Sequence, residues 1–241
     1  PEKYFSNNVG SLENIIAETK LLDKPMNFIF SSSCTVYGQA DSMPIDESFP
    51  LKEPESPYGQ SKRECEEILK KLNESDFCFK NITLRYFNPV GAHPSALIGE
   101  LPLGVPENLV PYLTQTAVGK RDFLTVFGND YETVDGTCIR DYIHIMDLAE
   151  VHVVCLEKLM DVKGDNYFKV FNVGTGKGSS VLELINLFES INQIKLNYKI
   201  GARRKGDVVT AYANTSKIEG ELGWRTKYSL EDALKSAWSW Q

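Results

Sequence analysis

Three side chains able to move protons, Ser33, Tyr58 and Lys62, stand close together in the sequence. Ser33 ends the run 28–33, Phe-Ile-Phe-Ser-Ser-Ser, which predicts a buried strand that ends in hydroxyl groups. Tyr58 and Lys62 are spaced i,i+4 in a predicted helix and therefore share one of its faces. We expect the ammonium group to favour the phenolate and to lower the pKa of Tyr58 from its usual value of about 10. The three residues thus predict a site of general acid–base chemistry.

The placement of these residues supports that prediction more than their spacing does. A Tyr-x-x-x-Lys match alone is weak, since roughly one is expected by chance in a chain of this composition. Ser33, however, lies at the carboxyl end of a predicted parallel strand, where open α/β sheets bind their ligands. Ser56 is a suitable N-cap and Pro57 suits the first helical position, which places Tyr58 in the first turn of its helix.

The composition argues against several classes of protein. With 241 residues, 42% of them hydrophobic, the chain can bury the core of one large domain or of two small ones. A net charge of −7 argues against a nucleic-acid partner. Five scattered cysteines without a Cys-x-x-Cys pair predict reduced thiols in a cytoplasmic protein and no metal site. No apolar run approaches the roughly 18 residues that cross a membrane, so no membrane partner is expected.

Helical and strand patterns alternate along the first third of the chain. The predicted order is a helix at 7–22, a strand at 27–31, a helix at 57–73 and a strand at 81–87. This alternation predicts an α/β fold with a doubly wound, Rossmann-like parallel sheet.

Shorter elements follow from residue 88 onward, among loops rich in glycine and proline. We predict that 1–87 belongs to the larger domain and that 88–241 is mainly a smaller, interleaved α/β lobe, with a segment of about 137–175 returning to the larger domain. The loop 174–178, Gly-Thr-Gly-Lys-Gly, lies between a predicted strand and a helix, as phosphate-binding loops do. Its glycine spacing matches neither the dinucleotide nor the P-loop pattern, which favours a tight turn before a capped helix.

Five segments, taken together and in their order along the chain, identify a protein family more specifically than any single motif does. They are Ser-Ser-Ser-Cys-Thr-Val-Tyr-Gly at 31–38, Ser-Pro-Tyr-Gly-Gln-Ser-Lys at 56–62, Arg-Tyr-Phe-Asn-Pro-Val-Gly-Ala-His-Pro at 85–94, Asp-Gly-Thr-Cys-Ile-Arg-Asp-Tyr-Ile-His at 135–144 and Arg-Arg-Lys-Gly-Asp at 203–207. The first three resemble the extended short-chain dehydrogenase/reductases. The last two narrow the resemblance to the UDP-hexose 4-epimerases of that superfamily, over nearly the whole chain.

The resemblance implies a role for each matching residue. Tyr58 is implied to be the catalytic base and acid, Lys62 to lower its pKa and to bind the nicotinamide ribose, and Ser33 to bind the 4-oxygen of the sugar. Contacts with an NAD cofactor are implied for Asn8, Ser33, Tyr58, Lys62 and Phe87. Contacts with the UDP-sugar are implied for Ser33, Asn88, Asn108, Leu109, Thr125, Val126, Phe127, Arg140, Arg204, Asp207 and Ala211.

The resemblance also implies a reaction and an assembly. Tyr58 would take the 4-hydroxyl proton of a UDP-hexose while C4 gives a hydride to NAD; the 4-keto sugar would then turn over and receive the hydride on its other face. A homodimer is implied through the helices at 7–22 and 57–73.

The sequence departs from the family pattern in two places. The glycine-rich dinucleotide fingerprint is absent, and by comparison with the family roughly 90 residues are expected before Pro1. We therefore expect the C-terminal part of a doubly wound sheet, from a longer enzyme, which would not hold NAD tightly by itself. Ala211 occupies a position where the family carries side chains of varied bulk, so UDP-N-acetylhexosamines are an expected further substrate class.

Two alternative functions remain open on sequence grounds. One is another nucleotide-sugar enzyme of the same superfamily, such as a 4,6-dehydratase or a decarboxylase. Dehydratases carry Thr-Asp-Glu where this chain has Ser31-Ser32-Ser33, and the lack of these carboxylates favours epimerisation. The other is a non-catalytic UDP-sugar-binding protein, against which the intact Ser33, Tyr58 and Lys62 argue.

Overall fold

Helices and parallel strands alternate along the chain, which confirms the predicted α/β class. The structure is a computed structural model that describes residues 2–22, 24–75 and 77–241. In these residues the α-helices are α1 (Glu2–Phe5), α2 (Ser11–Leu21), α3 (Pro57–Asn73), α4 (Leu109–Ala117), α5 (Ile145–Asp161), α6 (Val181–Asn192), α7 (Ser216–Leu222) and α8 (Leu230–Trp240). The strands are β1 (Met26–Ser33), β2 (Phe79–Tyr86), β3 (Asn88–Val90), β4 (Leu124–Phe127), β5 (Ile139–Arg140), β6 (Tyr142–His144), β7 (Tyr167–Val173), β8 (Ser179–Ser180), β9 (Tyr198–Gly201) and β10 (Thr210–Ala211).

The chain is divided into two compact units, each assembled from three segments. Unit 1 comprises Pro1–Tyr86, Val151–Val173 and Asn214–Arg225. Unit 2 comprises Phe87–Glu150, Gly174–Ala213 and Thr226–Gln241. The predicted bounds, with a segment of about 137–175 returning to the larger domain, remain predictions. So do the roles that the resemblance implies, NAD binding for 1–87 and mainly UDP-sugar binding for 88–241.

Unit 1 is built on a parallel sheet with the strand order β1-β2-β7. Helices α2 and α3 bury their apolar faces on this sheet in one cluster, whose members include Leu12, Ile16, Phe30, Leu69 and Phe79. Burying side chains of this size contributes about 1.5–3 kcal/mol each. Because parallel strands end at the same edge of a sheet, Ser33 at the end of β1 lies opposite Tyr86 at the end of β2.

Helix α3 begins where the sequence predicts. The Ser56 hydroxyl accepts a hydrogen bond from the Gly59 amide at 3.1 Å, and Pro57 occupies the first turn. A Cβ atom on Gly59 would lie only 3.0 Å from the Thr35 carbonyl oxygen. Glycine therefore lets the first turn of α3 pack directly against the 3₁₀ segment Cys34–Tyr37, which follows Ser33.

Unit 2 combines small sheets with a helical core. Its strands pair as β3-β6, β4-β9 and β10-β5-β8, and all of these pairs are parallel except β5-β8. Helices α4, α6 and α8 supply the core cluster, which includes Val110, Leu113, Leu184, Phe188 and Leu234.

The spacings Ser216-x-x-Glu219 and Ser229-x-x-Asp232 predict capping motifs at the starts of the last two helices, and their outcomes differ. Capping boxes are present at the starts of α6 and α8, formed by Ser180 with Glu183 and by Ser229 with Asp232. The cap predicted at Ser216 is wrong by one residue, because Thr215 is the N-cap of α7 and its hydroxyl donates to Glu219 Oε1 at 2.6 Å.

Candidate active site

The structure brings Ser33, Tyr58 and Lys62 together in unit 1. The buried Ser33 hydroxyl accepts hydrogen bonds from the Thr35 amide at 3.3 Å and from the Thr35 hydroxyl at 3.0 Å. It also interacts with the Tyr58 phenol. The Lys62 ammonium donates to the Ser31 carbonyl at 3.0 Å and lies 5.7 Å from the centroid of the Tyr58 ring. A hydroxyl, a phenol and an ammonium therefore meet at the carboxyl end of β1.

The expected lowering of the Tyr58 pKa is wrong for this arrangement. Burial raises the pKa of Tyr58, and the hydrogen bond with Ser33 opposes that shift without reversing it. Burial also lowers the pKa of Lys62. The physical reason is that desolvation disfavours both charged forms, while the ammonium is engaged with a backbone carbonyl. Tyr58 is thus protonated at neutral pH in the protein alone.

Asn8 is fixed beside the start of α3. It lies in a single π-helical stretch, Ser6–Gly10, between α1 and α2. Its side-chain amide donates to the Ser61 hydroxyl at 2.8 Å, and that hydroxyl donates to the Tyr58 carbonyl at 2.8 Å. Such π turns often occur at functional sites, and the amphipathic pattern gave no signal of this one.

A second cluster, in unit 2, contains Phe127, Arg140, Arg204 and Asp207. The Asp207 carboxylate accepts from Arg204, with Nη2 to Oδ1 at 2.8 Å, and Arg140 Nη2 is 3.7 Å from the same oxygen. The Arg204 guanidinium lies 5.7 Å from the centroid of the Phe127 ring. Two guanidinium groups around one carboxylate leave net positive charge, and their forked donors suit a phosphate or diphosphate.

The other predicted substrate residues of unit 2 lie on strands and at helix ends. Val126 is buried in the core, whereas its neighbour Phe127 in β4 is 44% exposed. Asn108 precedes α4, where Leu109 is the first residue, and its amide donates to Glu100 Oε1 at 3.0 Å. The remaining three are the partly buried Asn88 and Thr125 and the buried Ala211, which lies opposite Arg140 in the β10-β5 pair. Phe87, predicted to contact the cofactor, is buried.

Asp141 is a buried residue that sequence reasoning did not single out. Its carboxylate accepts from the Thr175 amide at 2.8 Å, the Thr175 hydroxyl at 2.6 Å, the Gly176 amide at 3.0 Å and the Ala213 amide at 3.1 Å. The glycine loop 174–178 thus gives amide donors to a carboxylate of the protein. This supports the interpretation as a structural turn, since a phosphate would have to displace Asp141.

Among the described residues, no group of histidine, cysteine and carboxylate side chains could hold a metal ion. None of the helices in the described ranges is long and apolar enough to span a bilayer.

Known proteins match this chain in sequence along its whole length. It is 46% identical over 243 residues to the UDP-glucose 4-epimerase of Dictyostelium discoideum, an alignment that covers 100% of this chain and 69% of that protein. The chain belongs to the UDP-glucose 4-epimerase family. Residues 1–237 also match the family model described as GDP-mannose 4,6 dehydratase.

Solved structures of the UDP-glucose 4-epimerase family share the fold. The enzyme from Stenotrophomonas maltophila, with bound NAD and formylated UDP-arabinopyranose, has a TM-score of 0.94 at 41% identity, covering 100% of this chain and 70% of that one. The UDP-Glc/GlcNAc 4-epimerase from Campylobacter jejuni has a TM-score of 0.80 at 38% identity, covering 100% and 71%.

Proposed function

We propose that the enzyme to which this chain belongs interconverts UDP-galactose and UDP-glucose by oxidation and re-reduction at C4, with NAD as cofactor. The observation that carries the proposal is the meeting of Ser33, Tyr58 and Lys62 at the end of β1, in a chain of the UDP-glucose 4-epimerase family. The same three groups would be available to any C4 oxidation of a sugar, and the family selects epimerisation.

The donor groups of unit 1 fit part of a nicotinamide cofactor. The Lys62 ammonium uses one N–H on the Ser31 carbonyl, which leaves two donors for ribose hydroxyls. We propose that Asn8, Ser33, Tyr58, Lys62 and Phe87 contact NAD. Bound NAD would supply the hydride acceptor and donor for C4.

The side chains of unit 1 would handle the proton. Ser33 would hold the 4-oxygen of the sugar by a hydrogen bond. Tyr58 would act as the phenolate, a form that the positive charges of Lys62 and of oxidised NAD would favour once the cofactor is bound. It would take the 4-hydroxyl proton as C4 is oxidised and would give it back to the same oxygen on re-reduction, so the reaction needs no net proton exchange. Lys62 would fix the position of the tyrosine ring and supply positive charge.

Unit 2 would bind the UDP portion of the substrate. We propose that Arg140 and Arg204 hold the diphosphate, with Asp207 keeping both guanidinium groups oriented. Uridine and sugar contacts are proposed for the remaining predicted residues, namely Asn88, Asn108, Leu109, Thr125, Val126, Phe127 and Ala211.

We further propose that UDP-N-acetylhexosamines are substrates. Ala211 lies directly opposite Arg140 in the β10-β5 pair, so its methyl group neighbours a residue that we propose to bind the diphosphate. A small side chain there would leave room for an N-acetyl group. The resemblance to the Campylobacter jejuni UDP-Glc/GlcNAc 4-epimerase supports this substrate class.

Assembly as a homodimer in the cytoplasm is also proposed. Ile15, Leu21 and Leu22, on and just after α2, are 46%, 78% and 57% exposed in the chain alone. These aliphatic side chains would be covered by a second copy. None of the five cysteines forms a disulfide bond, which agrees with a reducing compartment. Sedimentation of the full-length protein and of an Ile15→Lys variant tests the dimer.

Tyr58→Phe in the full-length protein tests the proposed chemistry. The variant keeps the ring and loses the hydroxyl, so turnover of UDP-galactose should fall by at least about 100-fold, the contribution of a general acid–base group. The affinity for UDP, measured by calorimetry, should not change. Wild-type turnover in Tyr58→Phe would contradict the assignment.

A further inference from the structure

Helix α3 makes a third contact with the three serines at the end of β1, in addition to the contacts of Tyr58 and Lys62. Glu66 follows Lys62 by four residues and Tyr58 by eight, so the three side chains lie along one stripe of α3. Tyr58 interacts with Ser33, and Lys62 donates to the Ser31 carbonyl. Glu66 Oε1 accepts from the hydroxyl of the intervening serine, at 2.5 Å. One stripe of the helix therefore contacts three consecutive serines of β1.

Glu66 is held in place by a buried ion pair with Arg85. Arg85 Nε lies 3.0 Å from Glu66 Oε1, and Arg85 Nη2 lies 2.6 Å from Oε2. Both side chains are only 6% exposed, and Arg85 is paired with Ser32 across the β1-β2 ladder. Burial by itself lowers the pKa of Arg85, but the hydrogen bonds and charge of Glu66 outweigh it and the pKa is raised. The guanidinium of Arg85 thus remains charged.

The Arg85 guanidinium also reaches the segment on the other side of Ser33. It lies 4.7 Å from the centroid of the Tyr37 ring, at the end of the 3₁₀ segment. Tyr37 is fully buried, and its hydroxyl donates to Asn172 Oδ1 in β7 at 2.7 Å. The Glu66–Arg85 pair is thereby connected to the chain both before and after Ser33.

We propose that Glu66 and Arg85 are positioning residues that set the placement of Tyr58 against Ser33; this rests on the proposed function. A buried ion pair is a weak source of stability compared with apolar packing, because both charges must be desolvated. It does restrict geometry, since a carboxylate with several directed hydrogen bonds accepts one register of α3 on β1. Apolar contacts such as that of Leu69, one turn along the same helix, are less directional.

The test is Glu66→Gln in the full-length enzyme, with Leu69→Ala as the matched control. Glutamine keeps the size and removes the charge, so kcat for UDP-galactose should fall about tenfold to a hundredfold, the effect of misplacing a reacting group by an ångström or less. KM and UDP affinity should stay within about twofold, because unit 2 is untouched. Leu69→Ala, which leaves a cavity in the same helix interface, should lower Tm at least as much while kcat stays within about twofold.

A second variant keeps the test decisive if Glu66→Gln does not fold. Ser32→Ala removes one hydrogen bond to Glu66 and leaves the ion pair intact, so it should lower kcat in the same direction and by a smaller factor. Unchanged kcat in either folded variant, or an equal kcat loss in Leu69→Ala, would overturn the proposal. A wild-type enzyme without epimerase activity would instead overturn the proposed function.

Discussion

Burial raises the pKa of Tyr58 and lowers the pKa of His144. Both shifts favour the neutral form of the side chain. For His144, hydrogen bonding adds a second reason. Its Nδ1 accepts from the Met146 amide at 3.0 Å, and Nε2 lies 3.2 Å from the Ser236 hydroxyl, which itself donates to the Ala233 carbonyl. Only a neutral ring with its proton on Nε2 satisfies both contacts.

We therefore expect stability to fall on acidification through His144. In the unfolded chain the histidine binds a proton with a pKa near 6.5, whereas in the folded chain it does so only at lower pH. Proton binding therefore stabilises the unfolded state relative to the folded state as pH drops below about 6.5. Urea unfolding of His144→Gln from about pH 7 to pH 5 should show a smaller loss of stability than the wild type. His93→Gln is the control, and an equal slope in both variants would contradict the account.

Ala211 is the residue at which substrate choice can be tested. A bulky side chain in Ala211→Tyr should obstruct the N-acetyl group and lower kcat/KM for UDP-GalNAc by at least about tenfold, the scale of a steric mismatch in a pocket. UDP-galactose turnover by the same variant is the internal control and should change little. Negligible wild-type activity on UDP-GalNAc would reject this substrate class.

Ser229 caps a helix, whereas Ser216 does not. The Ser229 hydroxyl accepts from the Asp232 amide at 3.1 Å, and the Asp232 carboxylate accepts from the Ser229 amide at 2.9 Å. Ser229→Ala should therefore cost about 1 kcal/mol of unfolding free energy. Ser216→Ala, at the first residue of α7 and after the cap, should cost a few tenths of that. Equal losses in urea denaturation would contradict the assignment of the caps.

Elements with strong local signals were predictable from the sequence. The Ser56-Pro57 pair predicted the start of α3, and the strand predicted at 81–87 corresponds to β2. Ser216 was misplaced because it follows another hydroxyl residue, Thr215, and local sequence does not decide which of the two caps the helix. Local patterns set these elements, so errors there are a residue or two.

Contacts between distant residues were not predictable in the same way. Asp141 binds a loop 34 residues away, and Arg85 binds Glu66 across 19 residues. No periodicity or capping motif in the sequence predicts these contacts, because they depend on tertiary packing. The pKa of Tyr58 was mispredicted for the same reason, because its direction depends on burial and not on the spacing to Lys62.

The chain spans 69% of the length of the Dictyostelium discoideum epimerase. Its sequence lacks the glycine-rich fingerprint that cradles the pyrophosphate of a dinucleotide. We therefore expect the isolated 241-residue polypeptide to purify without bound NAD. Chromatography of nucleotide released on denaturation measures this, and a stoichiometric amount of NAD would contradict the expectation.

We propose that the site oxidises C4 of a UDP-hexose and returns the same hydride to it. UDP-galactose labelled with deuterium at C4 tests this most directly when it is incubated with the full-length protein and followed by NMR and mass spectrometry. We expect UDP-glucose that retains deuterium at C4, since the hydride never exchanges with water. A product that has lost the label to solvent, a 4-keto-6-deoxy sugar with the label moved to C6, or no product at all would contradict it.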